Sequence, residues 1–400
     1  MLHITSEYKP LKRVMVHRPG VEIERLTREN LHQLLFEDFP YLDTMRREHD
    51  AFVAEMRSAG VEVIYFEDLL LELLKVDRGR EDLVGRTVEL ENCEGIRSAL
   101  LSLDPSALLH ILIGGLSAQD KAADQFALSP PVDISRDYFI IPPLPNLYFM
   151  RDPAAIVGNA VVLSKMHHAA RMREATLVEF VMRRHPLLEG CSVAYGDNLE
   201  EQRPYTIEGG DVLVINEEAI AIGCSERTRS ESIRTVARNL FRLGLAQRVY
   251  EVAIPFNRDF MHLDTVLTIV SKELVVAYPA ALESVLETKV YTPRVIGDET
   301  EVYLDLDRRA FLAVLQDELG RYLTVTTGGG DGRYASREQI ADATNVLAIG
   351  PNKVITYDRN KLTNEALKAA GVNVIEIAGS ELVRGLGGPR CMTMPLVREA

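Results

Sequence analysis

The sequence contains no tryptophan, only four cysteines and no long apolar segment. The cysteines are far apart and form no Cys-x-x-Cys pair, which argues against a zinc cluster or a redox dithiol. Four thiols in 400 residues are too few for a disulfide scaffold. No window of about 18 apolar residues is available to span a bilayer, and the N-terminus lacks the basic and apolar regions of a signal peptide. These absences predict a cytoplasmic protein without a membrane partner.

An excess of positive charge is also lacking. The 45 Lys and Arg residues are outnumbered by 59 Asp and Glu residues, which gives a net charge of -14. Because nucleic-acid binding needs clustered excess Lys and Arg, we expect no nucleic-acid partner. The negative charge mildly favours a cationic small ligand. A hydrophobic content of 46% and a charged content of 26% are typical of a globular protein with a large core.

The order of the predicted elements indicates an α/β protein with an insert. The first part of the chain predicts a strand, a helix and a second strand, in residues 11–20, 43–59 and 61–66. From residue 69 to residue 133 the alternation typical of strands is lost, and Leu, Glu, Arg and Ala recur at helical spacing. Extended chain returns at residues 138–145, where prolines exclude a helix. We therefore predict an α/β domain in residues 1–68 and 134–400 and a helical insert in residues 69–133.

A degenerate internal repeat is the most informative pattern in the sequence. Four segments each consist of a leading Asp or Asn, an apolar strand, a short turn and a second apolar strand, and the leaders are Asp152, Asp211, Asp264 and Asn345. Helix-like sequence follows the second segment and the fourth, in residues 229–243 and 362–370. Arranged around an axis, such units would bring the leaders together, and a ring of carboxylates needs a cation or a proton to neutralise it. The alternative is that Asp starts each strand simply as a turn residue.

The loop at residues 385–395 combines glycine, proline and a cysteine in the order Gly-Leu-Gly-Gly-Pro-Arg-Cys-Met-Thr-Met-Pro. Glycine permits a close approach of the backbone and proline stiffens the turn, so the loop is suited to present Cys391 at the mouth of a site. The adjacent Arg390 is expected to lower the thiol pKa. The alternative is a structural role in the core, which is how we interpret the other three cysteines.

Two further motifs carry acids beside a histidine or beside glycines. At the start of a strand, His262 and Asp264 project to the same face, which places a titrating base beside a carboxylate. Between Glu208 and Asp211, two glycines let the backbone pass close to a ligand. A structural histidine and an ordinary turn between strands are the alternatives.

The stretch at residues 145–153 supplies the amide of Asn146, the ring of Phe149 and the acid of Asp152. An aromatic ring beside acids suits a planar cation, although an aromatic residue that fills the core explains the same pattern. We interpret His167-His168 as a solvated loop rather than as a metal motif.

Together, these motifs resemble the arginine deiminases of the guanidino-modifying superfamily. The resemblance covers nearly the whole chain and includes residues 11–20, 36–38, 48–50, 146–153, 208–211, 261–265 and 387–395. It implies the pentein fold, a five-bladed α/β propeller of pseudo-symmetric ββαβ units with an inserted helical subdomain. It also implies hydrolysis of L-arginine to L-citrulline and ammonia, and a homo-oligomer that is a dimer or higher. No metal or organic cofactor is expected, because a thiolate and a histidine supply the nucleophile and the proton transfers.

The resemblance implies a role for each matched residue. Cys391 corresponds to the nucleophile, which forms a covalent amidino-cysteine intermediate, and His262 corresponds to the general acid and base. The acids that bind the guanidinium correspond to Asp152, Asp264 and Glu208. The remaining substrate-binding positions correspond to Phe149 as the pocket aromatic, to Asn146, Arg171 and Arg227 at the α-carboxylate, and to Asp211 with a less defined role.

One departure from the family pattern concerns the entrance of the site, because many members carry an arginine where this chain has Leu386. This puts the gating of the site in question. Residues 337–345 also depart from the pattern, since no tryptophan follows Gln339.

Several carboxylates near a thiol raise its pKa, so we hypothesise that the bound cationic substrate, with protonated His262, helps to generate the thiolate. The alternatives to a deiminase are a related amidinotransferase, a dimethylarginine hydrolase or a catalytically silent arginine-binding protein.

Overall fold

The structure is a computed structural model that describes residues 2–76, 79–120, 139–188, 190–196, 205–256, 260–278, 280, 288–296 and 299–399. The α-helices in these residues are α1 (Val21–Glu24), α2 (Leu42–Ser58), α3 (Phe66–Lys75), α4 (Arg80–Leu90), α5 (Arg97–Ser102), α6 (Pro105–Gly114), α7 (Met172–Arg184), α8 (Ser230–Arg242), α9 (Phe311–Leu319), α10 (Gly332–Gln339) and α11 (Lys361–Ala369). Of the helices described, none combines the length and the apolarity needed to cross a bilayer.

The strands of the described residues are distributed along the whole chain. They are β1 (Leu11–Val16), β2 (Glu62–Tyr65), β3 (Leu116–Ser117), β4 (Phe139–Ile141), β5 (Ala154–Val157), β6 (Ala160–Leu163), β7 (Ser192–Tyr195), β8 (Val212–Val214), β9 (Ala219–Cys224), β10 (Arg248–Ala253), β11 (Leu267–Ser271), β12 (Leu274–Ala277), β13 (Thr288–Ile296), β14 (Glu299–Asp307), β15 (Leu323–Thr326), β16 (Leu347–Gly350), β17 (Lys353–Tyr357), β18 (Asn373–Ile377) and β19 (Met394–Arg398).

Five three-stranded units of one design account for most of these strands. In each unit an antiparallel pair is followed by a helix and by a third strand that lies parallel to the middle strand. The units, in the order of their strands, are β5-β6-β7, β8-β9-β10, β11-β12-β15, β16-β17-β18 and β19-β1-β2. A helix is needed between the second and third strands because parallel strands require a long crossover connection.

Four of the antiparallel pairs are the hairpins that the sequence repeat predicts. The fifth pair joins β19, near the C-terminus, to β1, near the N-terminus, with register from Leu11 opposite Arg398 to Met15 opposite Met394. Because the two strands of this pair are almost 400 residues apart, a repeat along the chain cannot reveal them. The strand pair β13–β14, which the sequence analysis did not predict, extends the β8-β9-β10 unit to five strands.

The helices pack through apolar faces of the expected period. In α8 the buried positions include Ile233, Val236, Ala237 and Leu240, which recur at intervals of three and four residues. Strands β5 and β6 are buried at every position, since they lie inside the core. Strands such as β5 and β6 therefore lie at the centre, and amphipathic helices pack around them.

Helices α3 to α6 occupy residues 66–114 and pack on one another and on α7. Extended chain returns at β4, in agreement with the prolines that follow it. Part of the predicted insert, residues 121–133, lies outside the described residues, and the division of the chain at residues 69 and 133 stays a prediction.

Candidate active site

The residues that precede the antiparallel pairs lie close together in space. Cys391 stands three residues before β19, as Asp264 stands three residues before β11. The backbone N–H of Cys391 donates to Oδ1 of Asn345 over 2.9 Å, and Nδ2 of Asn345 donates to the carbonyl of Asp264 over 3.2 Å. The backbone N–H of Arg151 donates to the carbonyl of Cys391 over 3.0 Å, next to Asp152. The leading positions of four units thus meet at one place.

Cys391 is buried among acids. Its Sγ lies 3.8 Å from Oδ2 of Asp264, and only 4% of the residue is exposed. Burial raises the pKa of the thiol well above its usual value, and the carboxylates of Asp264, Asp152 and Asp342 raise the pKa further. The thiol is therefore protonated in the free protein, as the hypothesis of substrate-assisted ionisation requires.

The expectation of a lowered thiol pKa beside Arg390 is wrong, because burial and three carboxylates outweigh the attraction between the thiolate and this guanidinium. The guanidinium of Arg390 is bound to two acids. Its Nη1 donates to Oδ2 of Asp264 over 2.5 Å, and its Nε donates to Oε2 of Glu7 over 3.1 Å. Nη2 donates to the carbonyl of Val212 over 3.1 Å. Arg390 therefore fixes the orientation of the Asp264 carboxylate and joins it to the N-terminal segment.

His262 is held between two carboxylates. Its Nε2 bonds to Oε2 of Glu208 over 2.8 Å, and its Nδ1 lies 3.7 Å from Oδ1 of Asp152. Burial opposes the charged imidazole, but Asp152, Glu208 and Asp211 outweigh burial and raise the pKa of His262 to about 9. Arg227 and His262 hold the pKa of Glu208 far below its usual value in spite of burial. The pair is therefore an imidazolium beside a carboxylate at neutral pH.

Two acceptor oxygens of the site have no hydrogen-bond donor. They are Oδ1 of Asp152 and Oδ1 of Asp264, and both are fully buried. A buried carboxylate oxygen without a donor costs free energy, on the order of 1–3 kcal/mol or more. The arrangement becomes favourable when a ligand with several N–H donors enters between the two acids.

A small pocket opens onto these groups. The lining includes Cys391, His262 and Asp152 together with the four residues that the sequence analysis assigned to the outer part of the substrate, which are Asn146, Phe149, Arg171 and Arg227. Seven of the ten predicted site residues thus line the pocket, and an eighth, Glu208, bonds His262 of the lining.

The two pocket arginines are bound to acids of the site. Nη1 of Arg171 donates to Oδ2 of Asp152 over 2.7 Å, and Nη1 of Arg227 donates to Oε2 of Glu208 over 3.4 Å. Nε of Arg227 is buried without a hydrogen-bond partner. Arg227 therefore keeps a donor available for an anionic group such as a carboxylate.

The remaining predicted residues, Asp264 and Asp211, lie behind the pocket lining. Asp264 reaches the site through its contact with the thiol. Asp211 uses both oxygens within the protein, because Oδ1 accepts from the backbone N–H of Leu263 over 2.9 Å and Oδ2 accepts from the hydroxyl of Ser225 over 2.7 Å. Burial raises the pKa of Asp211 to about 7. These bonds hold the turn that carries His262, and the substrate-binding role of Asp211 stays a prediction.

Two residues of the site, Asn345 and Leu35, had no predicted role in it. Asn345 bonds both the nucleophile loop and the Asp264 turn, and its place as leader of the fourth repeat was the available signal. Leu35 and Leu386 line the pocket, and both have a positive φ, of 65° and 62°. Leu386 also lines a wide surface groove, so it stands at the entrance of the pocket. No sequence pattern indicates a pocket role for Leu35.

Two groups of side chains in the described residues have the donor atoms of a metal site, with all ligand atoms of each group within 4.8 Å of one another. One consists of Asp152, Glu208 and His262 and belongs to the pocket described above. The other consists of His167, His168 and Glu226, which are half-buried. Burial and the charge of Arg227 lower the pKa of His168 to about 4.

Comparison with known proteins decides the family. The sequence profile described as arginine deiminase matches residues 32–398. The arginine deiminase of Listeria monocytogenes serotype 4a (strain HCC23) is 40% identical over 408 aligned residues, which cover 100% of this chain and 98% of that protein. The chain belongs to the arginine deiminase family.

Solved structures related to this arginine deiminase family member share its fold at low identity. Dimethylarginine dimethylaminohydrolase from Pseudomonas aeruginosa, a cysteine-to-serine mutant complexed with citrulline, aligns with a TM-score of 0.52 and 16% identity over 96% of this chain and 98% of that chain. The N-terminal domain of ArgZ, a cyanobacterial arginine dihydrolase bound to product, aligns with a TM-score of 0.56 and 13% identity over 96% and 97%. These likenesses show an α/β fold of the pentein type.

Proposed function

We propose that the protein hydrolyses L-arginine to L-citrulline and ammonia at the pocket beside Cys391. The observation that carries this proposal is the pair of buried, donor-free oxygens on Asp152 and Asp264, beside a buried thiol. A guanidinium is planar and carries five N–H donors in a fixed geometry, so it matches two carboxylates gathered around one thiol. The family, whose relatives are named for this reaction, supports the same conclusion.

The substrate would lie with its guanidinium among the acids and its α-carboxylate at the outer part of the pocket. There, the donor-free Nε of Arg227 suits an anionic group. Phe149 is buried and lies against the glycine loop, with the ring where a Cβ on Gly387 would be placed. An aromatic wall of this kind supports a planar cation through its face.

Binding of the cation prepares the nucleophile. Because the carboxylates of Asp264 and Asp152 raise the pKa of the Cys391 thiol, the positive charge of the substrate between them lowers that pKa again. The thiol then releases its proton to water, and the thiolate attacks the central carbon of the guanidinium. Orientation of this kind supplies roughly 7–11 kcal/mol of barrier reduction in favourable cases.

His262 transfers the protons of both half-reactions. With a pKa of about 9 it is protonated at neutral pH, so it donates a proton to the departing nitrogen as the C–N bond breaks and ammonia leaves. The amidino group stays on the sulfur as an S-alkylthiouronium. Neutral His262 then accepts a proton from water, whose oxygen adds to the same carbon. The C–S bond breaks with loss of a proton to solvent, and citrulline and the thiolate are released.

We also propose that the five units are the blades of an α/β propeller around this pocket. Neighbouring units contact one another in sequence, through β19 with β5, β11 with β16, and β1 with β16. The turn before β8 contacts both β5 and the turn before β11. These contacts link the last unit back to the first, as a closed ring requires. The helical insert in residues 69–133, the homo-oligomer and the cytoplasmic location stay predictions from the sequence and the family.

The test is a turnover assay on the purified protein with L-arginine. Citrulline and ammonia are expected in equal amounts, and Cys391→Ala is expected to lose turnover by at least on the order of a thousandfold. Cys224→Ala is the matched control, because Cys224 is a half-buried free thiol in β9, outside the pocket. Equal thermal unfolding of both variants shows that the loss is chemical. Unchanged turnover in Cys391→Ala would exclude the proposed nucleophile.

The same assay separates the related activities. An amidinotransferase would need an added amine as the acceptor and would form ornithine rather than citrulline from L-arginine. A dimethylarginine hydrolase would release dimethylamine from Nω,Nω-dimethylarginine faster than ammonia from L-arginine. A silent binding protein would bind L-arginine without producing citrulline.

A further inference from the structure

A half-exposed cluster of two imidazoles and one carboxylate lies beside the pocket. Nε2 of His167 and Nε2 of His168 are each 3.9 Å from Oε1 of Glu226, and the three side chains are 29%, 32% and 34% exposed. The imidazole rings are 4.8 Å apart between centroids and nearly perpendicular. The proposed hydrolysis of arginine assigns no role to these three side chains.

We propose that His167, His168 and Glu226 bind a divalent transition-metal ion of the zinc type, and that the bound ion slows arginine turnover. Two imidazole nitrogens and one carboxylate oxygen are a common ligand set for Zn²⁺, with a water completing the tetrahedron. In such a site the ligand atoms lie about 3.3 Å apart, given metal–ligand distances of about 2.0–2.1 Å. Side chains that are one-third exposed can rotate to close the present separations, which are 3.9 Å from each imidazole nitrogen to Oε1 and at most 4.8 Å within the group.

The local charge leaves room for a cation at this cluster. Arg227 is the residue after Glu226. Its guanidinium is directed to Oε2 of Glu208 and to Sδ of Met261 rather than into the cluster. The carboxylates of Glu226 and Glu208 offset its charge. Among the described residues, the ion pairs of Glu226 are its 3.9 Å contacts with the two histidines. A bound Zn²⁺ would therefore displace no shorter ion pair.

The cluster joins two loops that shape the pocket. His167 and His168 lie between β6 and α7, three to four residues before Arg171, and Glu226 lies between β9 and α8, next to Arg227. The backbone N–H of His167 donates to Oε1 of Glu208 over 2.8 Å, and Glu208 bonds His262. Drawing the two loops together therefore shifts groups that bind Glu208, and two positive charges at the rim repel the cationic substrate.

The binding test titrates Zn²⁺ into the intact protein by calorimetry, without arginine, for the parent chain and for His167→Gln, His168→Gln and Glu226→Gln. Each variant is expected to weaken Zn²⁺ binding about tenfold or more, because loss of a ligand costs at least as much as loss of an outer-shell partner. Mg²⁺ is expected not to compete, since it prefers six oxygen ligands.

His32→Gln is the matched control. His32 is an exposed imidazole whose Nδ1 also lies 3.9 Å from a glutamate oxygen, on Glu37, and it belongs to no group of three ligand side chains within the part of the chain that the structure describes. This variant should bind Zn²⁺ as the parent chain does. Equal affinity in the parent and in all three cluster variants would overturn the proposal.

The effect on turnover rests on the proposed function, whereas the binding test does not. Zn²⁺ is expected to lower kcat/KM of the parent chain and of His32→Gln, and to have at least about tenfold less effect at the same concentration on the three cluster variants. Cys391→Ala should keep its Zn²⁺ affinity. If Cys391→Ala loses Zn²⁺ binding while the cluster variants stay inhibited, the ion binds at the catalytic thiol and the proposal is wrong.

Discussion

Replacement of Asp264 by Asn should separate the reactivity of the thiol from catalysis. Sγ of Cys391 lies 3.8 Å from Oδ2 of Asp264. Two negative charges at such a separation repel each other by about 4 kcal/mol when the effective dielectric constant is about 20. Arg390 bonds the same oxygen and offsets part of this repulsion. The amide removes the repulsion and leaves the charge of Arg390 near the sulfur, so the pKa of the thiol should fall.

The fall in the thiol pKa depends on how much of this repulsion remains after the attraction of Arg390 is subtracted. A third of it, about 1.4 kcal/mol, already corresponds to a tenfold change in the thiolate fraction. We therefore expect Asp264→Asn to be alkylated by iodoacetamide about tenfold or more faster than the parent chain at neutral pH. Arginine turnover should fall by on the order of a hundredfold or more, because the guanidinium loses a charged acceptor.

Asp342→Asn is the matched control. Asp342 is also buried and also raises the thiol pKa, but burial and the charge of Asp264 raise its own pKa to about 8. It is therefore mostly neutral at pH 7, and its amide should leave the alkylation rate nearly unchanged. Cys391→Ala gives the background of the other three cysteines. If Asp264→Asn is alkylated no faster than Asp342→Asn, with both folded by thermal unfolding, the electrostatic reasoning is refuted.

Three further perturbations test the supports of the site. Burial opposes the charge of His262, but its acidic neighbours raise its pKa to about 9, against about 6.5 in an unfolded chain. The charge of His262 therefore stabilises the folded protein fully below about pH 6.5, and this stabilisation is lost as the pH rises through about 9. The melting temperature of His262→Gln should accordingly fall less across this range than that of the parent chain. Asn345→Ala removes the acceptor of the Cys391 N–H, which should lower kcat about tenfold or more with a smaller change in KM; equal changes in both would contradict a positioning role. Gly210→Ala places a Cβ 2.6 Å from Nδ1 of His262, whereas Gly350→Ala meets nothing within 4 Å, so only the first should impair turnover, and similar kcat/KM values for the two would refute this packing argument.

Local patterns were sufficient for much of the fold. The alternation of apolar residues located the four hairpins that follow Asp152, Asp211, Asp264 and Asn345. Helical periodicity located α2, α8 and α11 to within one or two residues. Such patterns arise from neighbours along the chain, which is why one sequence shows them.

The strand pair β13–β14 shows where local patterns stop. Strand β13 pairs with β14 and with β10, which precedes β13 by about forty residues in sequence. The choice of β10 rather than the neighbouring β12 depends on which sheet edge is free in the folded chain. The side chains of β13 and β14 do not indicate which sheet edge is free.

The residue types of the site were recoverable from the sequence, but their states were not. The adjacent Arg390 indicated a lowered thiol pKa, whereas the fold directs its guanidinium to Asp264 and Glu7. Asp211 belonged to a motif matched to substrate binding, whereas both its oxygens hold backbone and hydroxyl groups. Adjacency in sequence does not specify the direction of a side chain.

The sequence by itself determined which residues have the chemistry for a guanidinium, since three of the four repeat leaders are acids and separate motifs supply a thiol and a histidine. The tertiary structure decided that Cys391 holds the same position in the fifth unit, because β19 finds its antiparallel partner β1 at the other end of the chain. It also decided the charge on each group. A pKa depends on burial and on neighbours within a few ångströms, and those neighbours come from segments more than a hundred residues apart, as with Asp264 and Cys391.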